Sequence, residues 1–419
     1  MTTIILKPHK EESLKRFHPW VFSGAIERVV LDKNYPYDQP QEGEVVLVTA
    51  HDGQTLGVGH YQVGSIAVRI LEFGVSQLPK DFYPKRIAAA YQLRQALGLT
   101  MVHGTSSNGK CNNTYRLVHG EGDFLPGLVI DIYNDTAVMQ AHSVGMHLVR
   151  AEIAQAVTDT IPEVKAVYYK SDDTLPFKAN IPQEEKVGYL RPIPGPSLIG
   201  QGDTNNKEFW SAENGLEFRI DWLRGQKTGF FVDQRENRAL LEKYAAGRDV
   251  LNMFCYTGGF SVYALRGGAK MVHSVDVSEK AVELVRTNVE RNFPNCQRHE
   301  AFAEEAFKFM ADIKDKYDLI ILDPPAFAKH RDAIKNALRG YQRINQKAIE
   351  QIRPGGILFT FSCSQAIDKE MFRLAVFSAA AAVGRKVRIL HQLHQPQDHP
   401  INIYHPEGEY LKGLVLQVE

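Results

Sequence analysis

Beyond Arg235 the chain alternates short apolar runs with longer amphipathic stretches. The runs Val250 to Phe254, Met271 to Val275, Leu319 to Leu322 and Ile357 to Phe361 have strand length, and stretches of ten or more residues with helical spacing separate them. This alternation predicts βαβ units in a parallel, doubly wound sheet. The N-terminal part reads differently. From Gly43 to Leu71 apolar and polar residues alternate around glycine-rich breaks, as in a small β-barrel or sandwich. Ile87, Tyr91, Arg94 and Leu97 mark a helix over Lys85 to Leu97. Tyr115 to Asp131 holds two strand-like runs around a turn-rich centre, followed by a strand at Thr136 to Gln140 and a helix from His147 to Thr160. Together these form a compact α+β unit. Leu190 to Asn206, dense in Pro, Gly, Asn and Asp, predicts a surface loop near a domain junction. The expected fold class is α/β: a Rossmann-like doubly wound sheet preceded by a small β-barrel and an α+β central domain, with boundaries at 1–74, 75–185 and 186–419.

Composition narrows the class without giving the function. With 419 residues, 44% hydrophobic and 23% charged, the chain has the make-up of a multidomain globular protein. Its start has no apolar leader, and its longest apolar stretch, Leu374 to Val383, is too short to span a bilayer, so a cytoplasmic location with no membrane partner is expected. The four cysteines, Cys111, Cys255, Cys296 and Cys363, lack both metal-site spacing and the density of a disulfide framework. No metal is expected. Net charge is zero, so only local clusters speak to nucleic acid. Two stand out: Lys7, Lys10, Lys15, Arg16 and Arg28, and Lys329, Arg331, Lys335, Arg339, Arg343, Lys347 and Arg353. Each also reads as a solvated helical face.

The candidate chemistry collects at the carboxyl ends of the expected strands, where open α/β sheets bind ligands. Val250 to Phe254 runs into Cys255-Tyr-Thr-Gly-Gly-Phe-Ser, a glycine turn that lets a ligand approach backbone N–H groups at a helix start. The next strand ends at Asp276, where a carboxylate can accept both hydroxyls of a ribose. A Gly-x-Gly-x-x-Gly turn for a pyrophosphate is missing, which disfavours NAD and favours an adenosyl ligand. Glu304 and Glu305 stand where a third strand should end, able to reach an adenine or simply to cap a helix. The fourth strand delivers Asp323-Pro324-Pro325-Ala326-Phe327. There the prolines fix the backbone, and Phe327 offers a ring on which an extruded base can stack.

The fifth strand ends at Ser362-Cys363-Ser364, at the same edge as Asp323. Carbon 5 of a pyrimidine is a poor nucleophile until a thiolate adds at carbon 6 and makes it enamine-like. An isolated strand-end cysteine is more often a buried structural thiol. Its place beside Asp323 makes Cys363 the candidate nucleophile, while Cys111, Cys255 and Cys296 keep the structural reading.

Lys227 to Arg238, Asn252 to Phe260, Asp323 to Phe327, Arg339 to Asn345, Ser362-Cys-Ser and Asp398 to Lys412 together resemble the bacterial large-subunit (23S) rRNA cytosine-C5 methyltransferase family. The resemblance spans nearly the whole chain. His18 to Gly24 looks like that family's PUA domain, an RNA-binding module, and Tyr115 to Asp131 like its central domain. The resemblance implies S-adenosyl-L-methionine as cofactor and ribosomal RNA as partner, with a homodimer possible. It further implies that Gln234, Phe254, Tyr256, Gly258, Asp276, Glu305 and Asp323 line the cofactor site, and that Cys363 and Asp323 act in catalysis. Pro324, Pro325, Phe327, Arg339 and Arg343 are expected on the substrate side. The chain lacks the second cysteine that many RNA cytosine-C5 methyltransferases carry beside the motif here written Asp323-Pro-Pro, which leaves Asp323 or water to remove the carbon 5 proton. Glu305 in place of Asp and Phe124 in place of Gly are milder departures. Two other readings compete: a purine-nitrogen RNA methyltransferase, which has no use for Cys363, and a non-catalytic RNA-binding assembly factor, which has no use for Asp276, Asp323 and Cys363 together.

Overall fold

The computed structural model describes residues 1–100, 111–176, 179–191, 208–328 and 331–419. They pack as two compact units: Met1–Glu208 with Trp222–Gly229 and Gln397–Gly408, and Phe209–Asp221 with Phe230–Pro396 and Glu409–Glu419. No helix among the described residues is long and apolar enough to cross a membrane.

The first unit contains two sheets. Strands β1 (Thr3–Leu6), β2 (Trp20–Phe22), β3 (Ile26–Val30), β4 (Val45–Thr49), β5 (Thr55–Tyr61) and β6 (Ile66–Phe73) pair in the order β2-β6-β5-β4-β1-β3, with the short helix α1 at Glu12–Lys15. Period-two alternation turns Ile4, Leu6, Val46, Val48, Val68 and Ile70 into its core. The second sheet runs β11-β10-β9-β8-β7. Its chain order is α2 (Phe82–Ala96), β7 (Thr114–His119), β8 (Leu128–Tyr133), β9 (Thr136–Ala141), α3 (Val144–Leu148), α4 (Arg150–Thr160), β10 (Ala166–Lys170), α5 (Gln183–Lys186) and β11 (Val187–Arg191). The helix expected over His147 to Thr160 is thus two, α3 being opened by a Ser143 side-chain cap. Because β11 pairs antiparallel with β10, the boundary expected at 185/186 shifts beyond Arg191, and Leu190 and Arg191 lie in a strand rather than a loop. The rest of that expected loop, 192–206, lies outside the described residues.

Two distant segments complete this unit. The Trp222 ring lies parallel to Tyr133, with centroids 6.2 Å apart, and Thr228 Oγ1 donates to Asp131 Oδ2 over 2.6 Å. Asp131 also takes both arms of the Arg116 guanidinium. From the other segment, the Asp398 carbonyl accepts from Arg94 at 2.8 Å, and its carboxylate accepts from the Arg116 backbone N–H at 2.9 Å. A Cβ on Gly122 would stand 1.8 Å from the Pro400 carbonyl oxygen, so only glycine permits this approach.

The second unit opens with the hairpin β12 (Trp210–Glu213) and β13 (Leu216–Arg219), followed by α6 (Arg235–Tyr244). Then come β14 (Asp249–Met253), α7 (Gly259–Arg266), β15 (Met271–Asp276), α8 (Glu279–Asn292), β16 (His299–Ala303), α9 (Ala306–Phe309) and β17 (Leu319–Leu322). The chain continues through α10 (Ile334–Gln351), β18 (Gly356–Ser362), α11 (Lys369–Val383), β19 (Val387–Leu393) and β20 (Lys412–Val418). The sheet order is β16-β15-β14-β17-β18-β20-β19, parallel except for β20. Strand order reverses between β14 and β17, the switch point where a ligand crevice opens. Leu251, Met253, Ile320, Leu322 and Leu358 meet α10 and α11 in one core.

Candidate active site

The turn after β14 is held from several sides. Phe254, Tyr256 and Gly258 all have positive φ, at 57°, 46° and 82°. For the two aromatic residues this is a strained conformation that the surroundings must impose. The Tyr256 N–H donates to Asp276 Oδ2 at 3.0 Å, and Asn288 Nδ2 donates to the Thr257 carbonyl at 2.8 Å. Under the turn, buried Asn252, Ser261 and Ser274 and half-buried His299 form a chain of contacts at 2.7–2.8 Å across β14, α7, β15 and β16. Burial lowers His299 to about 4, so it serves this chain as a neutral ring. Gly258 caps α7, and a Cβ there would meet Val285 at 2.8 Å.

Asp276 closes β15 half-buried. Its second oxygen accepts the Ser278 N–H at 3.0 Å, so each oxygen has one backbone donor and keeps a lone pair for a hydroxyl. Glu305 caps α9 by accepting the Lys308 N–H at 2.8 Å, and Glu304 pairs with the Lys308 ammonium. Capping therefore falls to Glu305, and Glu304 serves as an ion-pair partner. Glycine turn, strand-end carboxylate and crevice offer the donor set that S-adenosylmethionine requires.

On the other side of the switch point, Leu322 pairs with Met253 and with Thr360, so Asp323 and Cys363 leave neighbouring strands at the same edge. Gln234 Nε2 donates to Asp323 Oδ2 at 3.0 Å, while its Oε1 accepts from Asn237 at 2.7 Å. Burial, with the charge of Asp233 added, pushes the Asp323 carboxyl up to about 7. Burial, with the charges of Asp323 and Asp233 added and Lys412 opposing them, pushes the half-buried Cys363 thiol up to about 12. The thiol and these three charged groups therefore sense one another. Cys255 is buried and its thiol is raised well above the usual range, as expected of a structural cysteine.

The substrate-side residues are less uniform. Pro324 is buried and Pro325 exposed. Phe327 is half-buried, its ring 4.7 Å from that of Tyr341 and against Gly340, so one face is already covered by α10. Arg339 and Arg343 are exposed on α10, with Arg343 over the Phe307 ring. The basic cluster is smaller than its sequence suggests. Arg353 is engaged by Asp249 and Asp318, Lys347 lies 3.5 Å from Glu350, Lys329 lies outside the described residues, and Arg331 is described only in its backbone. Sequence reasoning gave no role to Asp233, Asn237, Tyr410 or Lys412. Tyr410 Oη donates to Asp233 Oδ2 at 2.7 Å, a pairing across 177 positions that no local pattern announces.

Fold and site define an S-adenosylmethionine-dependent methyltransferase. Residues 200–405 match the family model of that description, and residues 4–73 match that of a PUA-like domain. The chain is 37% identical to the ribosomal RNA large subunit methyltransferase I of Tolumonas auensis and 38% identical to that of Shewanella denitrificans, over 99% of each chain in both cases. It belongs to the ribosomal RNA large subunit methyltransferase I family. The same fold occurs in a structure described as a SAM-dependent methyltransferase from Streptococcus mutans, with a TM-score of 0.79, 22% identity and both chains fully covered. SMU.776, complexed with SAH, is equally similar.

Proposed function

We propose that this enzyme methylates carbon 5 of a cytosine in 23S ribosomal RNA through a covalent Cys363 adduct. The names of its relatives and its PUA-like segment support the RNA class. The observation that carries the chemistry is the thiol of Cys363 beside a carboxyl, Asp323, poised near neutrality. Gln234, Phe254, Tyr256, Gly258, Asp276 and Glu305 would hold the cofactor, with Asp323 at the edge of its site. S-adenosylmethionine supplies an electrophilic methyl group.

Cys363 Sγ forms a bond to carbon 6 of the ring, and the displaced electron pair makes carbon 5 nucleophilic. Once carbon 5 carries its methyl group, Asp323 accepts the carbon 5 proton. The electrons of that C–H bond restore the ring double bond, and the C–S bond breaks to return the thiolate. A base with a pKa near the operating pH suits this exchange. Pro324 and Phe327 shape the base pocket.

The test is methylation of ribosomal RNA with labelled S-adenosylmethionine by wild type and Cys363→Ala, followed by mass spectrometry of the nucleosides. Wild type is expected to yield 5-methylcytosine and Cys363→Ala none. A methylated purine, or activity that survives the substitution, would replace this reading with nitrogen methylation.

A further inference from the structure

A cysteine surrounded by carboxylates is a poor nucleophile, because two negative groups oppose its ionisation and burial does the same. Among the described residues, the groups facing Cys363 are Asp323 after β17, Asp233 before α6, the Tyr341 hydroxyl on α10 and Lys412 on β20. Of these, only Lys412 is cationic. Its place is fixed by the backbone: in the antiparallel ladder Lys412 stands opposite Ser362, and its Nζ donates to the Ser364 carbonyl at 2.6 Å. The ammonium thus binds the residue after the nucleophile and lies in register with the residue before it. A second N–H goes to the Tyr410 carbonyl at 2.6 Å. The residue is only 4% exposed, its acceptors are neutral carbonyls, and Glu409 is already engaged by Lys369.

A buried lysine without a bonded carboxylate is costly unless its charge has a use. Burial lowers Lys412 to about 8, so it is still mostly charged at neutral pH, with Cys363 among the groups that favour that charge.

We propose that Lys412 is a positioning residue whose ammonium, anchored on the Ser364 and Tyr410 carbonyls, stabilises Cys363 as a thiolate. The thiol proton leaves to solvent, and the positive charge remains beside the sulfur. This inference rests on Cys363 being the nucleophile proposed above, and it gives a use to a lysine that cofactor and base binding do not need.

The test follows alkylation of Cys363 by iodoacetamide from pH 6.5 to 9.5 in the full chain, read on the Cys363 peptide by mass spectrometry. Lys412→Met removes the charge. Lys412→Gln removes it but keeps amide donors for the two carbonyls, and Lys412→Arg retains it. At pH 7.5 the two neutral variants are expected to react on the order of tenfold more slowly than wild type, a shift of about one pKa unit, and Lys412→Arg to recover most of the rate. A folded Lys412→Gln that alkylates with the wild-type pH profile would overturn the proposal and leave Lys412 as a strand anchor. In parallel, wild type with S-adenosylmethionine is offered ribosomal RNA containing 5-fluorocytosine, whose carbon 5, once methylated, has no proton to lose. A denaturant-stable protein–RNA adduct is expected. Without one, the nucleophile reading itself fails, whatever the alkylation profiles show; with the adduct but no alkylation shift, only the role of Lys412 fails.

Discussion

The Asp323 carboxyl is held near neutrality by its surroundings: burial first, then repulsion from Asp233, against one amide donor from Gln234. Its folded pKa, about 7, lies above the usual carboxyl value, so the folded state prefers the protonated form. The associated stability is fully present below about pH 4 and is lost as pH rises through 7. Asp323→Asn removes the ionisation. It is expected to inactivate the enzyme yet to stabilise it at pH 8 by an amount on the order of a few kcal/mol, with the gain vanishing near pH 4. Thermal unfolding across that range checks it, and identical melting of variant and wild type at pH 8 would show that the carboxyl is hydrated. The neighbouring Asp233 has a buried oxygen, Oδ1, with no hydrogen-bond partner among the described residues, so this edge of the site is rich in negative charge. That excess gives the buried Lys412 charge its value.

Helix α10 shows how one element divides its labour. Ala337, Tyr341, Ile344, Ala348 and Ile349 face the core at helical spacing, while Lys335, Arg339 and Arg343 face solvent. These exposed cations follow the Asp323 motif in the chain and are proposed to grip RNA phosphates. Arg339→Glu with Arg343→Glu is expected to weaken ribosomal RNA binding and to lower the slope of log affinity against log salt by roughly one to two, with S-adenosylmethionine affinity unchanged. An unaltered slope in a salt titration would remove the idea. Strands were the most legible elements. β14, β15, β17 and β18 fall within a residue or two of their apolar runs, because buried parallel strands must be apolar on both faces. β19 was not legible: it lies at the sheet edge, with Arg388, Ile389 and Leu390 exposed, so its pattern carries no clean period. The insertion of β20 between β18 and β19 is a long-range event that no window of sequence contains. Within the site, Asp276, Asp323 and Cys363 could be singled out because each ends or directly follows a recognisable strand, and Gly258 because a glycine pair stands between a strand and a helix. Lys412 and Tyr410 matter through partners far away in the chain, and the capping by Glu305 depended on where a one-turn helix began.

At the scale of the whole molecule the chain passes repeatedly between its two units. Trp222–Gly229 and Gln397–Gly408 belong to the first, while the residues flanking them build the second. A fragment starting at Phe209 therefore keeps the complete catalytic sheet but carries two segments cut off from their partners, among them Trp222, only 2% exposed in the intact chain. Exposing such a ring and leaving its polar neighbours unpaired costs several kcal/mol. The fragment is expected to melt at a lower temperature than the full chain and to bind a hydrophobic dye; a fragment as stable as the whole would show that these segments fold without the first unit. The same threading has a consequence during synthesis. Arg94 and the Arg116 backbone wait for Asp398, 304 and 282 positions further along the chain. The N-terminal unit thus cannot complete these bonds until the strands of the catalytic sheet as far as β19 have been synthesised. A chain stalled before Asp398 would be left unfinished at its beginning.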